Sequence, residues 1–260
     1  MEFHVLTLFP DMIRSVFSES ITGRAAEKGL LSLNAVNIRD FSKDPHHKVD
    51  DYVYGGGAGM LMFPQPVYDA FRSLDVPEGT RVICPMPAGK TFDQKTAKEL
   101  AKEERLVFLC GHYEGIDERV IDRIVTDRIS IGDYVVTGGE LPALLIMDAV
   151  SRMIPGVLGN DISFEEESFY DDLLEYPQYS RPEEWEGSRV PGILLSGDHK
   201  KVEEWRLEES IRITKELRPD LYEKWAASHP EYFEAKAKKE EKEREKALKK
   251  AKMLAKESRL

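Results

Sequence analysis

The chain has 260 residues, 41% apolar and 33% charged, with 37 basic against 48 acidic side chains and a formal charge of −11. That balance excludes a nucleic-acid module working by bulk positive charge, although a local basic strip remains open. No apolar run approaches the ~18 residues of a membrane span, and the start MEFHVLTLFPDMIRS lacks the basic n-region of a cleaved signal. Two cysteines, Cys84 and Cys110, are too few for a disulfide scaffold or a cysteine zinc site. A soluble, cytoplasmic protein without a membrane partner is expected.

Apolar runs alternate with amphipathic stretches up to about residue 158. Strands are predicted at Phe3–Phe9, Leu31–Asn37, Arg81–Pro85, Leu106–Cys110 and Arg128–Ile131. Helices are predicted between and after them at Met12–Ser18, Pro64–Leu74, Asp93–Ala101, Asp117–Arg123 and Leu141–Met153. This alternation argues for an α/β fold with a parallel sheet. The runs VICP and LVFLC are apolar throughout, as strands buried on both faces are. From Asn160 to Glu184, nine acids face a single base, Arg181. That block reads as a linker. Beyond it, helices are predicted at Asp198–Leu217, Pro219–Ala227 and Glu231–Arg259, with Asp198 and Pro219 as start signals. The last of these is rich in Ala, Glu and Lys and poor in apolar residues. It reads either as a solvated helix or as a basic arm touching nucleic acid.

Four glycine-bearing segments are candidate sites. DDYVYGGGAGM (Asp50–Met60) strips side chains from the backbone so that a ligand can come close, yet it is neither a Walker A loop nor GxGxxG. CPMPAGK (Cys84–Lys90), LCGHYEGIDERV (Leu109–Val120) and SIGDYVVTGGELPA (Ser130–Ala143) each follow a predicted strand. Open α/β sheets bind ligands at the carboxyl ends of their strands, so these three loops can converge on one pocket. Their exposed backbone groups suit a nucleoside, and no paired metal carboxylates or phosphate-cradling lysine accompany them.

LFPDM, ITGRA, RDF, YGGGAGM, CGHYEGIDERV, SIGDYVVTGGELPA, SRMIPGVLG and LLSGDH follow one another in this order. Together they resemble the bacterial tRNA (guanine-N1)-methyltransferases that modify guanine 37, over residues 1 to about 230. The resemblance implies a SPOUT-type fold: an α/β domain with a deep trefoil knot (1–159), an acidic linker (160–180), a helical tRNA-binding domain (181–235) and a charged helical tail (236–260). It implies a homodimer with a composite active site, S-adenosylmethionine as methyl donor and tRNA as partner. Family activity is associated with magnesium, although the sequence shows no metal site.

By the same resemblance, the donor is held by Pro87 and Ala88 in the first loop and by Gly111, Tyr113, Glu114 and Gly115 in the second. The third loop adds Ser130, Ile131, Gly132, Asp133, Tyr134, Val136, Gly138, Gly139 and Pro142. Met86-Pro87-Ala88-Gly89 departs from the family's usual Ser-Pro-Gln-Gly. Asp50, Gly59 and Arg24 are expected near the target guanine or its tRNA. Guanine N1 carries a proton, so a general base must remove it, and charge grows on O6 as it leaves, which calls for a cation. Arg152 matches the family's cation. Glu167 stands where the family has aspartate before Ser-Phe and is the expected base, with Glu165 and Glu166 as neighbouring alternatives. Competing readings are another knotted RNA methyltransferase and a catalytically silent RNA-binding paralogue.

Overall fold

The structure, a computed structural model, describes residues 1–159, 167–169 and 171–257. It separates into two compact units, Met1–Phe164 and Glu165–Leu260.

The first unit is built on five parallel strands: β1 (Glu2–Thr7), β2 (Ser32–Asn37), β5 (Arg81–Thr91), β6 (Arg105–Leu109) and β7 (Asp127–Ser130), in the order β2-β1-β6-β5-β7. A short antiparallel pair, β3 (Asp50–Tyr52) and β4 (Met60–Met62), stands apart from that sheet. Six helices complete the unit: α1 (Pro10–Phe17), α2 (Ser20–Glu27), α3 (Pro64–Arg72), α4 (Gln94–Leu100), α5 (Glu118–Ile124) and α6 (Glu140–Ser151). Proline at the start of α1 and α3 suits the first turn, where no N–H donor is needed. Asp93 caps α4 by accepting from the Thr96 N–H at 2.7 Å.

The strand alternation sorts the interior into two layers. Phe3 and Val5 of β1 and Leu106 and Phe108 of β6 point to one face and pack with Ile13, Phe17, Ala97, Ile146 and Val150 from α1, α4 and α6. Leu6, Val107 and Leu109 point to the other, with Val67 and Ala70 of α3 and Val120 and Ile121 of α5. Every predicted strand and helix of this unit falls on an observed one. Cys84 and Cys110 are both free, buried, and in opposite layers.

The first loop is the point of difference. Residues 86–89 are not a strand-end loop: β5 continues to Thr91. Pro85 and Lys90 both pair with Ile129 of β7, so the four residues between them bulge out and the chain rejoins the same ladder, with Thr91 opposite Ser130. A side chain at Gly89 would lie 2.4 Å from the Ile129 backbone nitrogen. Only glycine lets the returning strand close against β7.

In the second unit, a two-stranded hairpin, β8 (Glu184–Trp185) and β9 (Ser188–Arg189), precedes α7 (His199–Leu217), α8 (Pro219–Ser228) and α9 (Pro230–Glu257). Asp198 caps α7 and Pro219 opens α8. Leu221 and Trp225 of α8 are buried, and Trp225 stacks on His229 at 4.9 Å. Predicted residues 258 and 259 of the last helix lie outside the described residues. Among the described residues, no helix is long and apolar enough to cross a membrane.

Candidate active site

Three segments meet at the carboxyl edge of the large sheet around a cavity of about 320 Å³, within the range typical of small-ligand sites. They are the β5 bulge, the loop after β6 and the loop between β7 and α6. Of the residues expected to hold the donor, all but Ala88 and Asp133 line this cavity. The last loop comes alongside the β6 end at one place, where the Gly139 N–H donates to Gly111 O at 2.9 Å. A Cβ on Gly139 would lie 2.7 Å from Cys110 Cα, so the two backbones meet where a side chain would stand. The middle loop is shaped by left-handed backbone at Tyr113 (φ 60°) and Gly115 (φ 119°). Burial pushes the Cys84 thiol up to about 12, so it joins the cavity wall as a neutral group.

A polar brace that the sequence reading missed holds these parts together. Glu140, 2% exposed, begins α6. Its carboxylate pairs with His112 Nε2 at 2.7 Å and accepts from the Thr7 hydroxyl at 2.5 Å. Thr7 in turn accepts from the Phe9 N–H at 2.9 Å, and the Phe9 ring lies 4.8 Å from His112. One buried carboxylate therefore ties the end of β1, the second loop and the start of α6. The available signal was faint: an acid opening an otherwise apolar helix. Its partners lie 133 and 28 residues away in sequence.

The glycine-rich segment reaches the same cavity from the side. Glu114 N–H donates to Met60 O at 2.9 Å, and Met62 N–H to Gly115 O at 3.0 Å. Gly59 (φ 99°) comes so close to Glu114 that a Cβ there would lie 2.2 Å from Oε1. Asp50, half-buried, pairs with Met62 across β3 and β4. Expected donor and guanine contacts are thus neighbours at Glu114 and Gly59. Arg24 is exposed on α2 and does not line the cavity. Arg152, half-buried, forms the carboxyl cap of α6 and does not line it either.

Glu167 belongs to the second unit. It lines a separate cavity of about 260 Å³ there, with Tyr176 and with Glu203, Arg206 and Ser210 of α7. The following residues are tied down: Ser168 Oγ accepts from Glu175 N–H at 2.9 Å, and Leu174 N–H donates to the buried Thr214 hydroxyl of α7 at 2.8 Å. Glu165 and Glu166 lie outside the described residues. Among the described residues, no group of three or more His, Cys, Asp or Glu side chains is arranged to hold a metal.

A parallel sheet with close-packed backbone loops over its carboxyl edge defines an α/β protein that takes a small ligand there. The comparisons narrow that class. A profile described as tRNA (Guanine-1)-methyltransferase TrmD matches residues 1–224. Proteins named tRNA (guanine-N(1)-)-methyltransferase are similar over most of their length. The one from Clostridioides difficile is 59% identical over 227 residues, covering 86% of this chain and 98% of that relative. Those from Lachnospira eligens (56%; 90% and 100% covered) and Lachnoclostridium phytofermentans (53%; 89% and 94%) are comparable. The chain belongs to the tRNA (guanine-1)-methyltransferase family.

Proposed function

We propose that this protein transfers a methyl group from S-adenosylmethionine to N1 of guanine 37 in tRNA. One observation carries the reading: three loops meet in a single cavity at the sheet edge, in a chain of this family. The cavity suits the donor. Its volume lies in the small-ligand range, its walls are apolar and aromatic, and its loops present backbone groups to a nucleoside. Bound donor supplies an electrophilic methyl on a sulfonium centre. The chain's own residues do the rest. Backbone at Gly111, Gly138 and Gly139 and the side chains of Tyr113, Ile131 and Pro142 hold and orient the donor. Pro87 closes the cavity from the bulge, and the exposed Ala88 and Asp133 belong to the same loops without lining it. Glu114, beside Gly59, faces the join between donor and guanine, and Asp50 supports that edge. Arg24 contributes to the tRNA surface. Glu167 removes the N1 proton and Arg152 neutralises the charge growing on O6.

Twelve residues of α-helix span about 18 Å, so Arg152 stands a helix length away from Glu140 and the cavity. A separation of that size supports a site completed by a second subunit. An apolar surface is available for such a homodimer: Met12 and Val16 on α1, with Leu141 and Leu145 on the adjacent α6, are exposed. The threading of the loop after β7 into a trefoil knot is the family expectation. The helical unit then serves as the tRNA-binding domain, and a tRNA substrate implies action in the cytoplasm.

The test is methyl incorporation into unmodified tRNA transcripts carrying guanine or adenine at position 37, with the product mapped by mass. Transfer to the guanine transcript alone is expected. Equal transfer to both, or to neither, overturns the proposal.

A further inference from the structure

Helix α9 begins beyond residue 224, where the family match ends. Its first turns are anchored. Tyr232 and Phe233 pack against Trp225 at 5.2 and 5.9 Å, and Lys239 Nζ reaches Glu204 of α7 at 3.6 Å. From Lys239 onward every described side chain is exposed. A helical stretch whose described side chains are exposed draws its stability from propensity and from opposite charges three or four residues apart.

Part of the charge on α9 serves that end: Glu234 and Lys238, Glu240 and Arg244, and Glu245 and Lys249 stand four residues apart in the favourable order. Lys238, Lys242 and Lys246 follow one another four residues apart, and Lys249 flanks them. At 3.6 residues per turn, these four fall within an arc of about 80° and extend about 16 Å along the axis. Glu240, Glu241 and Glu243 lie about 60° or more outside that arc, and Glu245 lies about 20° beyond one edge of it. Within the row, Lys238–Lys242 and Lys242–Lys246 are like-charge pairs at a spacing that weakens a helix, so this face concentrates positive charge at a local cost. Among the described residues, none of these four lysines makes an ion pair.

We propose that this face of α9 binds the phosphate backbone of the tRNA substrate, adding affinity without touching the chemistry. The identity of the RNA rests on the methyl-transfer reading above. The occupant follows from charge complementarity. The chain as a whole carries −11 and repels RNA, whereas the lysine row meets a polymer bearing one negative charge per about 3.4 Å of strand. Each phosphate neutralised releases condensed counterions, which makes the interaction salt-dependent.

The experiment uses the full chain with Lys238→Gln, Lys242→Gln, Lys246→Gln and Lys249→Gln combined, beside a companion with the same four changed to Arg. Gln matches Lys in helix propensity, so the helix persists. kcat, KM for unmodified tRNA and sedimentation are measured between about 50 and 200 mM salt. The Gln variant is expected to keep kcat and to raise KM about tenfold at the upper end, with a salt slope shallower by about one unit for each phosphate left without its lysine. The Arg variant is expected to behave as the parent. KM and slope within twofold of the parent overturn the proposal and leave α9 a solvated arm. Parent-like RNA behaviour with altered sedimentation also overturns it, in favour of a protein contact. Failure of the methyl-transfer reading looks different: the parent itself then leaves guanine 37 unmethylated, while fluorescence anisotropy with RNA still separates the Gln variant from the parent.

Discussion

The cavity at the sheet edge and the segment around Glu167 are built in opposite ways. The cavity in the first unit is defined by missing side chains. Backbone meets backbone at Gly139 and Cys110, and at Gly89 and Ile129, with distances that no Cβ would survive. The Glu167 segment in the second unit is defined by side chains that are present, in a stretch where acids are abundant. A site of the first kind fails when atoms are added. One of the second kind fails only when the particular acid that works is changed. The two therefore predict different mutational behaviour.

The largest effect is expected at the acid. In single-turnover methyl transfer, Glu167→Gln should lose about 10²–10⁴ in rate, Glu167→Asp should retain activity, and Glu166→Gln should change little. A fast Glu167→Gln enzyme moves the base elsewhere. Arg152→Ala should follow with a loss of about 10²–10³, with donor affinity unchanged because Arg152 lies off the cavity. Weakened donor binding in that variant would show that the arginine shapes the cavity instead.

Glycine substitutions probe the other half of the comparison. Gly139→Ala should destabilise the fold by about 1–3 kcal/mol through overpacking and weaken donor binding measured by calorimetry. Gly159→Ala, with nothing within 4 Å of its added atom, should do neither. Equal behaviour of the two would remove close approach as the organising feature of the cavity.

The smallest effect lies outside both sites. Arg81 Nε donates to Asp127 at 3.1 Å where β5 runs beside β7. Burial alone would raise the Asp127 carboxyl, but hydrogen bonds from Arg81 and Thr126 outweigh it and hold the group below its ordinary value. The stabilisation is therefore complete above the unfolded value of 3.8 and disappears as pH falls through the lowered folded one. Asp127→Asn should cost about 1 kcal/mol in urea unfolding at neutral pH, and the gap from the parent should close in strong acid. A gap that persists there would assign the loss to packing.

The sequence carried most of the sheet because its signals are local. Apolar runs such as Leu106–Cys110 declare strands, and Asp93, Asp198 and Pro219 declare helix starts. Much of the cavity was legible for the same reason, since glycines after strands mark loops that meet at a sheet edge. Elements whose stability comes from distant partners stayed hidden. β3 and β4 are three residues each, held by one another and by the loop at Gly115. α2 buries only Gly23 and Ala25, too little to produce a periodic pattern. The carboxylate of Glu140 owes its place to Thr7 and His112, and pairings across such separations leave no trace in spacing. The continuation of β5 to Thr91 was obscured by Pro85 and Pro87, which read as strand breakers.

The bulge in β5 sets how each of its positions answers to substitution. Because Pro85 and Lys90 pair with the same residue of β7, the ladder resumes in register after the insert at 86–89. Of the inserted residues, Met86 packs against one core layer and Pro87 lines the cavity, whereas Ala88 is exposed and does neither; Gly89 is pinned by the strand beside it. A change at position 88 therefore leaves the sheet, the core and the cavity wall in place, whereas any side chain at position 89 would break the ladder.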